Sequence, residues 1–142
     1  MTPRSDAEFE AERIGSPSRA RRVDVRRTLY SFRHAGRGFA WAVSSQANVR
    51  VHLVAAAVVL VAAILLRFTA IEIVAVVLSM ALVVGAELFN TTLEVLIDYA
   101  WPEHHPMIGR AKDVAASAVL VTAVGAAIVG VLLFGRHLLQ LV

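Results

Sequence analysis

The fold turns on residues 68–100, which read FTAIEIVAVVLSMALVVGAELFNTTLEVLIDYA. Up to Ala86 the stretch is apolar but for Thr69, Glu72 and Ser79, and the ~30 Å hydrocarbon core of a bilayer asks for roughly 20 such residues in a helix. It predicts a membrane span. The pattern then changes, because Glu87, Asn90, Glu94 and Asp98 interrupt the apolar run. Their spacing of i, i+3, i+7 and i+11 keeps all four within about 80° around a helix of 3.6 residues per turn. Leu88, Phe89, Leu93, Val95, Leu96 and Ile97 cover the rest of the circumference. A carboxylate in hydrocarbon costs several kcal/mol unless it is paired, hydrated or bound to an ion. Emergence of the helix into water is enough to explain Asp98, but not Glu87, which follows MALVVGA directly. A hard cation such as Mg²⁺, alone or with nucleotide phosphates, would neutralise such a stripe. A proton or ion pathway is the other reading. It fits poorly, since residues 73–84 offer only Ser79 as a polar lining.

Working outward, two further apolar segments flank this one, at residues 51–66 and 114–134. The last is long enough to cross, and the first needs its flanks, with Arg50 and Arg67 snorkelling toward the interfaces. The expected spans are therefore about 49–67, 69–98 with a cytoplasmic extension, and 108–135. Only RFTAIE separates the first two, so they form a tight hairpin. The composition agrees: of 142 residues 58% are hydrophobic, with a mean hydropathy of +0.67, above the usage of an ordinary soluble domain. There is no cysteine, which removes disulfides, thiolate metal sites and cysteine nucleophiles from consideration.

Charge sets the orientation. Nine of the fourteen basic residues lie within the first 37 positions, and only six charges of either sign interrupt residues 38–98. The arginine-rich arm, with Arg110 and Lys112 between the second and third spans, outweighs Arg67 and Arg136. Basic flanks favour the cytoplasm, so the N-terminus and the loop at 99–112 are expected there. Residues 1–22 alternate acids, arginines, Pro and Ser without an apolar core. They read as a disordered cytosolic tail and not as a signal peptide. From about 24 to 46, Val25, Leu29, Phe32, Gly36, Phe39 and Val43 share one helical face, whereas Arg26, Arg33 and Arg37 share another. That is the pattern of a basic amphipathic helix lying in the membrane interface.

The start of the third span, GRAKDVAASAVL at 109–120, carries Lys112, the single lysine beside thirteen arginines. It reads either as a point charge aimed at a phosphate or as an ion-pair partner for a nearby acid. Asp113 reads either as part of the same site or as a charge complementing a helix N-terminus. His104 and His105 lie in the Pro-bounded loop WPEHHPMIG.

The two blocks ELFNTTLEVLID (87–98) and HPMIGRAKDVAASAVL (105–120) closely resemble the paired E-x-x-N-[ST]-x-[IL]-E-x-x-x-D and H-x-x-x-[AG]-[RK]-x-K-D signatures of the prokaryotic diacylglycerol kinase and undecaprenol kinase family. The likeness covers roughly residues 26–135. It implies an all-α membrane protein, with an N-terminal interfacial helix and three transmembrane helices per protomer, assembled as a homotrimer. Residues 23–142 would then form a single membrane kinase domain. The implied activity is transfer of the γ-phosphoryl group of ATP, with Mg²⁺, to the hydroxyl of a membrane lipid alcohol, undecaprenol or diacylglycerol. The expected partners are that lipid, ATP and the bilayer of the bacterial inner membrane, with no nucleic acid.

The resemblance also assigns roles residue by residue. Glu87 would be the general base, Glu94 a metal ligand, and Asn90, Glu94, Asp98, Lys112 and Asp113 the nucleotide site. Arg27, Glu103, His104 and His105 align with nucleotide-contacting positions. Neither a Walker loop nor a protein-kinase glycine loop is present, so acids, metal and lysine would have to build the phosphate site. One position departs from the pattern. Where the family has a metal-binding Glu, QANVRVH begins with Gln46, which keeps an oxygen ligand but loses the charge that hard cations prefer. The alternative is thus a catalytically weakened or noncatalytic member that binds nucleotide or lipid. Asn48, Arg50 and His52 resemble the undecaprenol kinase branch.

Overall fold

A computed structural model describes residues 25–103 and 105–140, excepting the side chains of Val25, Arg27 and Thr28. The expected tail at 1–22 lies outside them. The described residues form four helices: α1 (Val25–Ser45), α2 (Ala47–Leu65), α3 (Ala70–Ala100) and α4 (Pro106–Leu139). The chain divides into residues 1–37 and 38–142. In the first unit the described part of α1 exposes Arg26, Arg33 and Arg37 along with Leu29, Tyr30 and Phe32.

In the second unit, α2, α3 and α4 are each long and apolar enough to cross a membrane. Val51, Val54, Val58 and Val61 on α2 and Val121, Val131 and Leu132 on α4 all point outward. An apolar exterior on a helix that satisfies its own backbone is what a bilayer selects and water does not. Helix α3 packs against both α2 and α4. Its inward face reads Glu72, Val76, Val83, Glu87, Asn90 and Thr91, so a valine middle is bracketed by polar groups at either end.

The hairpin between α2 and α3 closes through a Schellman motif. The Phe68 N–H donates to Ala63 O at 3.0 Å and the Arg67 N–H to Ile64 O at 3.0 Å, which satisfies carbonyls orphaned at the end of α2. The geometry places Arg67 at φ 56°, a left-handed conformation that glycine usually takes. Phe68 folds back beside Ala63 and Val76 in the buried cluster. Glu72 then caps α3, its Oε2 accepting from the Thr69 N–H at 2.8 Å and the Thr69 hydroxyl at 2.7 Å. The same carboxylate meets α4: His137 Nε2 lies 3.2 Å from Oε2 and Arg136 Nη1 3.6 Å from Oε1. His137 also stacks on Phe68, with ring centroids 4.3 Å apart.

Arg50 does something other than snorkel. Its Nη1 donates to Val43 O at 3.1 Å and Ser44 O at 3.0 Å, so it turns back on the C-terminus of α1. The last turn of α1 has no basic residue of its own. A cation there complements the helix dipole and occupies carbonyls that the break at Gln46 leaves free.

Candidate active site

The polar stripe of α3 grades from buried to exposed. Glu87 and Asn90 are each 4% exposed and Thr91 is 3% exposed, whereas Glu94 is half-buried and Asp98 is exposed. Helical spacing puts them on one face over about 16 Å of rise, and packing against neighbouring helices covers only the first two, Glu87 and Asn90. Glu87 makes no hydrogen bond or ion pair among the described residues. Asn90 donates from Nδ2 to Glu94 Oε1 at 3.0 Å, while its own Oδ1 is buried without a partner. The buried Asn90 carbonyl oxygen, lacking a donor, costs free energy that a hydroxyl, a cation or an ammonium would recover.

The exposed end of the stripe meets α4. Lys112 Nζ forms an ion pair with Asp98, across the connection at 101–105. Both readings of Lys112 have a foothold here, since the ammonium is held by an acid and also lines an open hollow of about 510 Å³ with Asp98, Trp101, Glu103 and His105. That volume lies within the roughly 300–1,000 Å³ of small-molecule sites. His105 is the N-cap of α4, its Nδ1 accepting from the Met107 N–H at 3.2 Å, and Pro106 supplies the fixed φ of the first helical position.

Other expected residues are less closely joined. Asp113 is exposed and unpaired among the described residues. It also lies two turns into α4, which begins at Pro106, so its reading as an N-terminal dipole charge is corrected, because that effect is confined to the first turn. Gln46 sits at the break between α1 and α2, half-buried, with φ −106° and ψ 121° and no side-chain capping bond. No hydrogen bond ties it to the stripe. Glu103 is exposed in the connection. His104 and the side chain of Arg27 lie outside the described residues. Among the described residues no three His, Asp or Glu side chains gather to hold a metal. The oxygens on offer there, the Glu94 carboxylate and Asn90 Oδ1, are hard donors, although Asn90 faces Glu94 with its amide nitrogen. Such a set fits Mg²⁺, which is commonly held by one or two carboxylates together with phosphates and water.

Sequence reasoning passed over two residues. Thr91, an inner position of the ELFNTTLEVLID block, adjoins Asn90 and is as buried as Glu87. Trp101 follows the last helical residue of α3 and lines the hollow; its sole signal was an aromatic side chain at a Pro-bounded turn.

Residues 33–134 match the family described as prokaryotic diacylglycerol kinase. The undecaprenol kinase of Bacillus subtilis is 37% identical over 117 residues, covering 82% of this chain and 95% of that protein. The diacylglycerol kinase of Synechocystis sp. is 40% identical over 114 residues, covering 80% of this chain and 65% of that protein. The diacylglycerol kinase of Escherichia coli is 36% identical over 59 residues, 42% of this chain and 48% of its own length.

Proposed function

The chain belongs to the prokaryotic diacylglycerol kinase family, and on that premise we propose that it is an ATP- and Mg²⁺-dependent kinase of a membrane lipid alcohol, undecaprenol or diacylglycerol. The single observation that carries the reading is Glu87, an acidic residue buried at a helix–helix interface with no partner to neutralise it among the described residues. A helix entering the hydrocarbon at Ala70 has spent the ~30 Å of the core by about residue 90. Glu87 then stands where a lipid's hydroxyl meets the cytoplasmic headgroup layer. One turn before it on α3, Val83 lines an apolar cavity of about 270 Å³ that Val76 and Met80 also wall, a surface suited to a hydrocarbon chain.

In the proposed reaction the Glu87 carboxylate takes the proton of the lipid hydroxyl. The freed oxygen bonds to the γ-phosphorus as the bond from that phosphorus to the bridging oxygen of ADP breaks. Lys112, steadied by Asp98, neutralises phosphate charge. Asn90 holds Glu94 in place through its amide, and with Asp98, Asp113 and Glu103 it contributes to the nucleotide site, joined by Arg27, His104 and His105. Glu94 and Gln46 would hold Mg²⁺, which when bound offsets charge on the phosphoryl oxygens. The protein would act as a homotrimer in the bacterial inner membrane, multi-pass, with α1 in the interface and the stripe on the cytoplasmic side.

A second reading, a member that binds nucleotide or lipid without turnover, rests on the missing charge at Gln46. Reconstituted protein incubated with labelled ATP, Mg²⁺ and a panel of undecaprenol, diacylglycerol and other lipid alcohols separates the two. Phosphorylation of at least one lipid is expected. A panel with no labelled product rejects the kinase.

A further inference from the structure

Trp101 ends α3. Its N–H still closes the helix, donating to Ile97 O at 2.8 Å, while its own φ of −137° and ψ of 79° leave the helical region. Pro102 follows at once, and beyond His105 Pro106 opens α4. Two prolines and two helix ends thus restrain the backbone that carries the indole. The side chain is nonetheless 60% exposed. It borders the hollow that holds the Asp98–Lys112 ion pair, and also a second hollow beside Met107 and Ala111.

A planar aromatic group at a restrained turn, with an ammonium and a carboxylate lining the same hollow, presents two kinds of recognition side by side. The ammonium suits a phosphate. The indole suits the face of a ring, since bases stack on aromatic side chains through their π-faces without regard to their hydrogen-bonding edges. One class of ligand carries both parts, a nucleoside polyphosphate. We propose that Trp101 is the platform on which the base of the nucleotide stacks while Lys112 takes its phosphates. This rests on the reading of Asp98 and Lys112 as nucleotide residues. The competing role for an exposed tryptophan at this level is an anchor in the headgroup layer. Stacking through π-faces also implies tolerance, so the platform would add affinity for any purine nucleotide and leave discrimination between bases to neighbouring polar groups.

The protein has two tryptophans, so Trp41→Phe leaves Trp101 as the only indole reporter in the full chain. With that variant in lipid nanodiscs, a non-hydrolysable ATP analogue and Mg²⁺ should quench the emission saturably, and inorganic tripolyphosphate should not. In the otherwise unaltered chain, Trp101→Ala should raise KM for ATP about tenfold with kcat little changed, and Trp101→Phe should restore most of the affinity. Emission that ignores nucleotide at saturating concentration and responds only to brominated lipid would overturn the proposal in favour of the anchor. Lys112→Met tells the two levels apart. A raised KM for ATP in Lys112→Met with a silent Trp101 rejects the platform alone, whereas an unchanged KM in Lys112→Met, with Trp101 equally silent, removes the nucleotide from this loop and rejects both.

Discussion

His137 Nε2 lies 3.2 Å from Glu72 Oε2, joining residues 65 positions apart at the end of the bundle away from the stripe. The same imidazole stacks on Phe68, which packs on Phe134 with centroids 4.7 Å apart. One side chain therefore ties the last turns of α4 to the α2–α3 hairpin. Replacing it by alanine removes a hydrogen bond and a ring contact together. His137→Ala should lower the thermal midpoint of the detergent-solubilised protein by roughly 2–6 °C. Glu72 and Glu87 are fifteen residues apart on α3, about 22 Å of rise, so activity per folded molecule at 25 °C should hold. An unchanged midpoint would show that the contact contributes nothing to stability.

Glu87→Gln preserves shape and hydrogen-bonding capacity but cannot take a proton. Its kcat should fall about 10²- to 10⁴-fold, with the proposed trimer and nucleotide binding kept. Binding of an ATP analogue measured beside turnover separates a chemical defect from a folding one. An active Glu87→Gln enzyme excludes this residue as the base.

Gln46→Glu restores a charge that hard cations prefer. The Mg²⁺ concentration giving half-maximal activity should drop, and so should the concentration that supports analogue binding. If either requirement stays the same or rises, Gln46 is not beside the metal.

Arg67 holds φ 56° at the closing residue of the Schellman motif. Glycine adopts that conformation without the clash of a Cβ. Arg67→Gly should stabilise the hairpin by up to about 1 kcal/mol, and Arg67→Val should destabilise it, because a β-branched residue tolerates positive φ poorly. Paired denaturation midpoints check the sign. Equal midpoints for the two variants would contradict a left-handed residue at this position.

Three apolar runs, with a count of roughly 20 residues per crossing, were enough to place the spans in the sequence, since a bilayer imposes the same length on every helix. The α2–α3 hairpin was legible from the shortness of RFTAIE. The shared face of Glu87, Asn90, Glu94 and Asp98 was legible from period alone. Arg50 was not: the spacing shows a cation near an apolar run, and nothing in it shows that the guanidinium turns back seven residues to the carbonyl of Val43.

The sequence by itself determined which residues lie on one side of a helix and which helices reach across a membrane, because both follow from local geometry and from apolar content. Only the tertiary structure decided how one stripe divides into a buried, unpartnered Glu87 and an exposed Asp98 paired with Lys112. It also decided that Glu72 meets His137 across 65 residues. Burial and long-range pairing depend on which helix packs where. Helical period holds each residue to its own face, and the neighbour that covers that face is chosen by contacts summed over the whole bundle.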